Sequence, residues 1–238
     1  MKDFDFLEWW TLTNARITSC VNQEELFAQV SREAAQLGFD YFAYGYRQPV
    51  PFTRARTVIT GTYPSGWLDI YNSNDYGAVD PTIAYSKRGT HLTLWSSESS
   101  EHHSRFFGEA REWGIAAGAT MTFRGADWSV RILGMAREQE PISIDESALL
   151  KLKMKCLAEF IDESRVAQSL AEGHAPILNQ REAEILRWVA DGKCSKSIAG
   201  ILDISEHTVN FHIKNIQRKF GATNRVHAAA YAAALGLI

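Results

Sequence analysis

No stretch of this 238-residue chain approaches the ~20 consecutive apolar residues that a helix needs to cross a bilayer. Its beginning, Met1-Lys-Asp-Phe-Asp-Phe, lacks an apolar run behind a basic cluster, so no secretory leader is expected and the chain reads as cytoplasmic. Cysteine is scarce. Cys20, Cys156 and Cys194 are scattered and odd in number, without CxxC spacing, which argues against a disulfide framework and a structural metal. A GxSxG elbow, a phosphate-binding glycine loop and an HExxH helix are all missing, so no enzyme of those kinds is expected. Glu101-His102-His103 is the one run that suggests metal ligation, but adjacent histidines in a Ser-Glu-rich loop read as solvated. No cofactor is predicted.

What is present is a core-forming composition, with 45% hydrophobic and 22% charged residues. The length suits one large domain or two ordinary ones. The net charge of −3 conceals an asymmetry. From Pro176 onward there are eight Lys and Arg against five Asp and Glu, so the tail is about +3 and the rest about −6. A basic tail suits a polyanionic partner.

The first ~165 residues mix two periodicities. Helices are predicted over 6–17 and 24–37, the second ended by Gly38, with further helical stretches at 63–71 and 104–114. Ser143 and Glu146 make a capping box for a long helix reaching about Ser169. Aromatic and β-branched runs at 39–47, 57–62, 91–95, 119–124 and 128–137 read as strands of one sheet, covered by helices on both faces. The short polar segment 171–177, with Pro176 disfavouring helix before it, reads as a linker. This divides the chain into 1–170 and 178–238.

The tail holds four predicted helices. Asn179 caps the first, with Glu182 completing a box and Gly192 closing it. Ser195 begins a short second, Ser205 caps a third that runs to Phe220 before Gly221, and Asn224 caps a fourth. The Asp203-Ile-Ser turn has the spacing of a helix-turn-helix, whose later helix enters the major groove. Val209, Ile213, Ile216 and Phe220 fall on its core face. The outer face carries His207, Asn210, Lys214, Gln217 and Arg218. Asn210 and Lys214 project side by side, with chemistry suited to adenine and guanine edges. Ser205, Thr208 and Lys196 are placed for phosphate contacts. On spacing alone, a polar-faced helical interaction module is the alternative.

Leu178-Asn-Gln-Arg-Glu-Ala-Glu-Ile-Leu, Ala190-Asp-Gly-Lys and Ile201-Leu-Asp-Ile-Ser-Glu-His-Thr-Val-Asn-Phe-His resemble the DNA-binding domain of LuxR-type regulators. That family's Glu, Leu and Gly landmarks fall on Glu182, Leu186 and Gly192. The resemblance implies binding to double-stranded promoter DNA and leaves the input open.

In the amino-terminal half, Tyr63, Trp67, Tyr71 and Trp95 surround an isolated acid, Asp80. Aromatic rings with single polar handles can orient a small amphiphile in an apolar cavity. Equally, the rings could fill a core and Asp80 could cap the turn begun by Asp80-Pro. Gly61-Thr-Tyr-Pro-Ser-Gly-Trp-Leu-Asp-Ile-Tyr and Asn74-Asp-Tyr-Gly-Ala-Val-Asp-Pro resemble the autoinducer-binding domain of quorum-sensing LuxR proteins, a likeness covering nearly the whole chain.

That resemblance implies an N-acyl-homoserine lactone as signal. Trp67 would donate to the lactone carbonyl, Asp80 would accept the ligand amide, and Tyr63 would bond the acyl carbonyl. Tyr71 and Trp95 would wall the lactone and chain, and Gly118 would permit a close strand approach. It also implies a homodimer on an inverted repeat, with RNA polymerase as a further partner; the helix from Ser143 to about Ser169 is the candidate for part of the dimer surface. The fold implied is α+β: an α-β-α sandwich around an antiparallel sheet, joined to an all-α four-helix helix-turn-helix domain. Two positions depart from the pattern. Thr122 stands where proline is common, and Gly134 where a hydroxyl residue often faces the acyl carbonyl. These leave open a receptor for another small molecule, or one acting without ligand. A phosphorylated receiver domain would need an early acidic cluster after a strand, which 1–37 does not supply.

Overall fold

A computed structural model of the chain describes residues 5–47, 49–83, 90–96, 104–125, 129–138, 141–164, 166 and 176–238. It separates into two compact units, one carrying every described strand and the other the last four helices.

In the first unit, α1 (Phe6–Thr18) starts at Asp5, whose carboxylate accepts the backbone N–H groups of Leu7 and Glu8. Asn22 caps α2 (Gln23–Gln36), and the helix ends where Gly38 takes φ +80°, a conformation that costs glycine little. Strands β1 (Tyr41–Arg47), β2 (Thr57–Gly61), β3 (His91–Ser96), β4 (Ala117–Arg124) and β5 (Val130–Arg137) form one antiparallel sheet in the order β2-β1-β5-β4-β3. Side chains alternate across it. Phe42, Tyr44, Met121 and Leu133 pack with α1, α2 and α5 (Ile144–Glu163), while Ala43, Ile59 and Ala136 face α3 (Ser65–Ser73) and α4 (Ser104–Glu112). The two faces bury separate clusters, so the expected α-β-α sandwich is formed.

Boundaries moved for local reasons. Tyr63 precedes Pro64 and is kept out of α3, which begins at Ser65. One turn of 3-10 helix, Tyr76–Ala78, had no forecast. The capping box at Ser143 and Glu146 is present, and the Ser143 N–H with the Arg137 guanidinium holds the Glu146 carboxyl down to about 2. The long helix, however, stops at Glu163 rather than near Ser169. Ser164 adopts extended backbone (ψ 141°), and both its N–H and its hydroxyl bond the Ile161 carbonyl. All of the remaining span to Ser169 except Val166, most of the 171–177 linker, Trp128 at the start of the fifth run, and Glu101-His102-His103 lie outside the described residues.

The second unit comprises α6 (Gln180–Ala190), α7 (Ser195–Leu202), α8 (Glu206–Phe220) and α9 (Arg225–Ala234). Caps at Asn179, Ser205 and Asn224 each accept the expected N3 backbone N–H, and Gly221 ends α8 at φ +59°. Ile185, Leu186, Ile198, Val209, Ile216 and Ala232 make the core, with Phe220 half-buried against it. Among the described residues, no helix is long and apolar enough to cross a membrane.

Candidate functional site

The five aromatic and acidic residues singled out in the first unit all line one cavity, between the sheet and helices α3 and α4. Trp67 and Tyr71 sit one turn apart on α3 and turn inward. The rings of Trp67, Tyr71, Tyr76 and Phe106 cluster with centroids 5.6 to 6.3 Å apart, meeting edge-on except for the tilted Trp67 and Tyr76 pair. The cavity measures about 40 Å³, and Ala43, Ile59 and Ile132 give it an apolar floor.

Asp80 supplies the charge. Tyr71 donates its hydroxyl to Asp80 Oδ2 at 2.8 Å, and the Thr82 N–H donates to Oδ1 at 2.8 Å. The second bond is the Asx turn expected of Asp-Pro, so the turn role and the cavity role are compatible. Burial, then the Asp80 charge, pushes the Tyr63 and Tyr71 phenols well above the usual range, and both stay protonated donors.

Trp95 and Gly118 are direct cross-strand partners. A Cβ on Gly118 would collide with the Trp95 ring and the Met135 carbonyl, so glycine is what lets the indole lie on the sheet. There the indole N–H of Trp95 donates to Thr120 Oγ1 at 3.0 Å. A Cβ on Gly134 would be 3.1 Å from the Tyr63 hydroxyl and 3.9 Å from Thr120 Oγ1. The Tyr63 hydroxyl therefore already takes up the space that a side chain at 134 would need, with the Thr120 hydroxyl nearby.

Sequence reading missed Thr82, Thr120 and Phe106 as lining residues. Thr120 was accessible by period two from Gly118, and Thr82 by the Asx-turn geometry of Asp80. Nothing in the 104–112 pattern separates Phe106 from any core aromatic.

In the second unit, His207, Asn210, Lys214 and Arg218 are exposed on α8, and Lys196 is exposed on α7. Ser205 Oγ accepts the Thr208 N–H at 3.0 Å and sits 2.8 Å from the Thr208 hydroxyl, closing the amino end of α8. Ser195 of α7 donates to Asn210 Oδ1 at 2.7 Å, a link that spacing within one helix could not reveal. Phe211, also unforeseen, stands 57% exposed beside Asn210.

The attitude of α8 is fixed from behind. Glu182 of α6 is buried, and its Oε2 accepts from the Asn179 N–H at 2.9 Å and from Lys219 Nζ of α8 at 2.6 Å. Burial by itself would raise this carboxyl, but the Lys219 and Asn179 donors hold it below the usual carboxylate range.

An α-β-α sensor unit with an aromatic cavity and a helix-turn-helix unit with a polar reading face define a ligand-sensing transcription regulator. Residues 22–164 match the family described as "Autoinducer binding domain", and residues 176–232 match "Bacterial regulatory proteins, luxR family". The chain belongs to the LuxR family of quorum-sensing regulators. It is similar to the HTH-type quorum-sensing regulator RhlR of Pseudomonas aeruginosa, 42% identical over 100% of this chain and 99% of that one. The transcriptional activator PhzR of Pseudomonas fluorescens is 35% identical over 98% and 96% of the two chains. A solved structure of SdiA in complex with octanoyl-rac-glycerol superimposes with a TM-score of 0.84 at 32% identity, covering 100% of this chain and 98% of that one. These relatives are named as regulators or activators rather than enzymes, in line with the absence of catalytic motifs.

Proposed function

We propose that the first unit binds an N-acyl-homoserine lactone and that the second, as part of a homodimer, binds inverted-repeat promoter DNA to regulate transcription in the cytoplasm. The observation that carries the ligand reading is the convergence of Tyr63, Trp67, Tyr71, Asp80 and Trp95 on one apolar cavity. Asp80 accepts the ligand amide N–H, Trp67 donates to the lactone carbonyl and Tyr63 to the acyl carbonyl. Tyr71 and Trp95 wall the lactone and chain.

A cavity of 40 Å³ holds only a few waters, so the aromatic cluster of Trp67, Tyr71, Tyr76 and Phe106 must part to admit a lactone. Ligand burial then completes the core and stabilises the folded unit by mass action. Leu149 and Leu152, exposed on α5, support that helix as part of the dimer surface. Asn210 and Lys214 read base edges, while Ser205, His207, Thr208, Lys196 and Arg218 meet the phosphates or the groove edge. RNA polymerase is the downstream partner.

The test is thermal unfolding of the full chain with a panel of acyl-homoserine lactones, followed by mass spectrometry of what co-purifies. A rise in Tm with one chain length, lost in Asp80→Ala and Trp67→Phe, is expected. The second reading is a receptor for another acylated molecule, favoured by the octanoyl-glycerol complex of SdiA and by Gly134. Octanoyl glycerol belongs in the same panel, and a shift with it alone would replace the lactone reading.

A further inference from the structure

Ala119, Met121 and Phe123 of β4 fill the sheet face that packs against α5, so Gly118, Thr120 and Thr122 are turned to the cavity face. Thr120 lines the cavity. Thr122 is paired directly with Ile132, which lines it as well. On the other flank of β4, Thr93 of β3 is the direct partner of Thr120. Three threonines thus share one face of the sheet, Thr93 and Thr120 side by side and Thr122 about 7 Å farther along the strand, with Thr120 alone of the three lining the cavity as it stands.

Their hydroxyls are not equally satisfied. Thr120 Oγ1 accepts the Trp95 indole N–H. The Oγ1 atoms of Thr93 and Thr122 are buried with no hydrogen-bond partner among the described residues, and Thr122 is only 1% exposed. A buried hydroxyl without a partner keeps its desolvation penalty, and native interiors hold few of them. Valine would fill the same space without that penalty. Thr57 also lacks a partner, but its side chain is pressed against Gly77 rather than presented beside Thr120.

We infer that Thr122 and Thr93 form a polar subsite at the acyl end of the cavity, and that this receptor selects an acyl chain bearing a keto or hydroxyl oxygen over the plain chain of equal length. The inference rests on the acyl-lactone reading of the cavity. The acyl carbonyl is assigned to Tyr63, which lies over Gly134. From there the wall runs to the Thr120 and Gly134 pair and then to the Thr122 and Ile132 pair. An oxygen a few bonds beyond the carbonyl meets that second row. A threonine hydroxyl can donate to a ketone and can accept from an alcohol. Gly134 adds no side chain of its own to that stretch of wall.

The experiment titrates the full-length protein with hexanoyl-, 3-oxohexanoyl- and 3-hydroxyhexanoyl-homoserine lactone, and with the octanoyl set, by calorimetry. At least one oxygenated ligand should bind about fivefold or more tightly than its plain counterpart. Thr122→Val should bring its affinity down to that of the plain chain, whereas Thr122→Ser should keep the preference. Without ligand, Thr122→Val should leave Tm unchanged or raise it, because an unpaired polar group is removed. Equal affinities within both sets, a preference that survives in the Thr93→Val/Thr122→Val double variant, or a lower ligand-free Tm in Thr122→Val would each overturn the inference. If no lactone binds at all, the lactone reading falls with it. If plain lactones bind in an Asp80-dependent way without preference, only this inference falls.

Discussion

The hydroxyl of Tyr71 is 2.8 Å from Asp80 Oδ2 and donates to it, so the carboxylate at the ligand cavity is already oriented by a residue nine positions earlier in the chain. The Thr82 N–H holds the other oxygen. A carboxylate offers about four acceptor positions, so the Tyr71 and Thr82 donors do not by themselves bar the proposed ligand N–H. Asp80 is therefore presented in a fixed direction, which lowers the ordering cost of binding.

Asp80→Ala is expected to weaken lactone binding about tenfold or more, because it removes a charge-assisted bond in a desolvated site. Tyr71→Phe should cost less, about fivefold, since it leaves Asp80 in place but frees one oxygen. Calorimetric titration of the two variants with one lactone checks the order. A larger loss in Tyr71→Phe would mean that the phenol itself contacts ligand.

The two cavity-side glycines should respond in opposite ways. Gly118→Ala forces its Cβ into the Trp95 ring and the Met135 carbonyl, and should destabilise the sensor unit by about 1 to 3 kcal/mol. Gly134→Ser places its Cβ 3.1 Å from the Tyr63 hydroxyl, a distance that a small shift of Tyr63 relieves. It should fold normally and change ligand affinity instead. Tm without ligand separates the two, and equal destabilisation would refute the contrast.

Glu182 should govern the stability of the DNA-binding unit on the acid side. Its folded pKa lies below the ordinary value of about 4.3, so its contribution is full above that ordinary value and is lost as pH falls from there through the lower folded value. Glu182→Gln should lower stability at neutral pH by about 1 to 2 kcal/mol and flatten the decline below pH 5. Urea unfolding of the full chain across that range, monitored in the carboxy-terminal unit, provides the check. An unchanged acid limb would assign the decline to another carboxylate.

On α8, Asn210→Ala and Lys214→Ala should relax base preference at single positions of the half-site, at about 1 to 3 kcal/mol each. Lys196→Ala should instead weaken all sequences alike and reduce the salt slope by about one. Phe211→Ala belongs to the first class if its exposed ring meets a thymine methyl, and replacing thymine by uracil in the site would then produce the same loss. Uniform loss in all of these variants would reduce α8 to a phosphate-contacting helix.

Much of the fold was legible because its signals are local. Asn179 with Glu182, Ser143 with Glu146 and the glycines at 38 and 221 mark helix ends through caps that involve neighbours a few residues away. The end of α5 was not legible, since Ser164 breaks it by bonding back to Ile161, a choice that its sequence neighbourhood does not dictate. The five cavity residues were found through their resemblance to a family and their aromatic chemistry, and by those alone they could equally have been core.

Local signals along the chain were enough for the two-part design, the helix-turn-helix and its outward face, because periodicity and capping act within a few turns. Packing across the sheet was needed to establish that Tyr71 and Thr82 share Asp80, that Gly118 makes room for Trp95, and that the Thr122 and Thr93 hydroxyls are buried with no partner among the described residues. Those relations depend on strand order and cross-strand register. Both are set by which faces of the sheet bury their side chains, a property of the whole chain rather than of any segment.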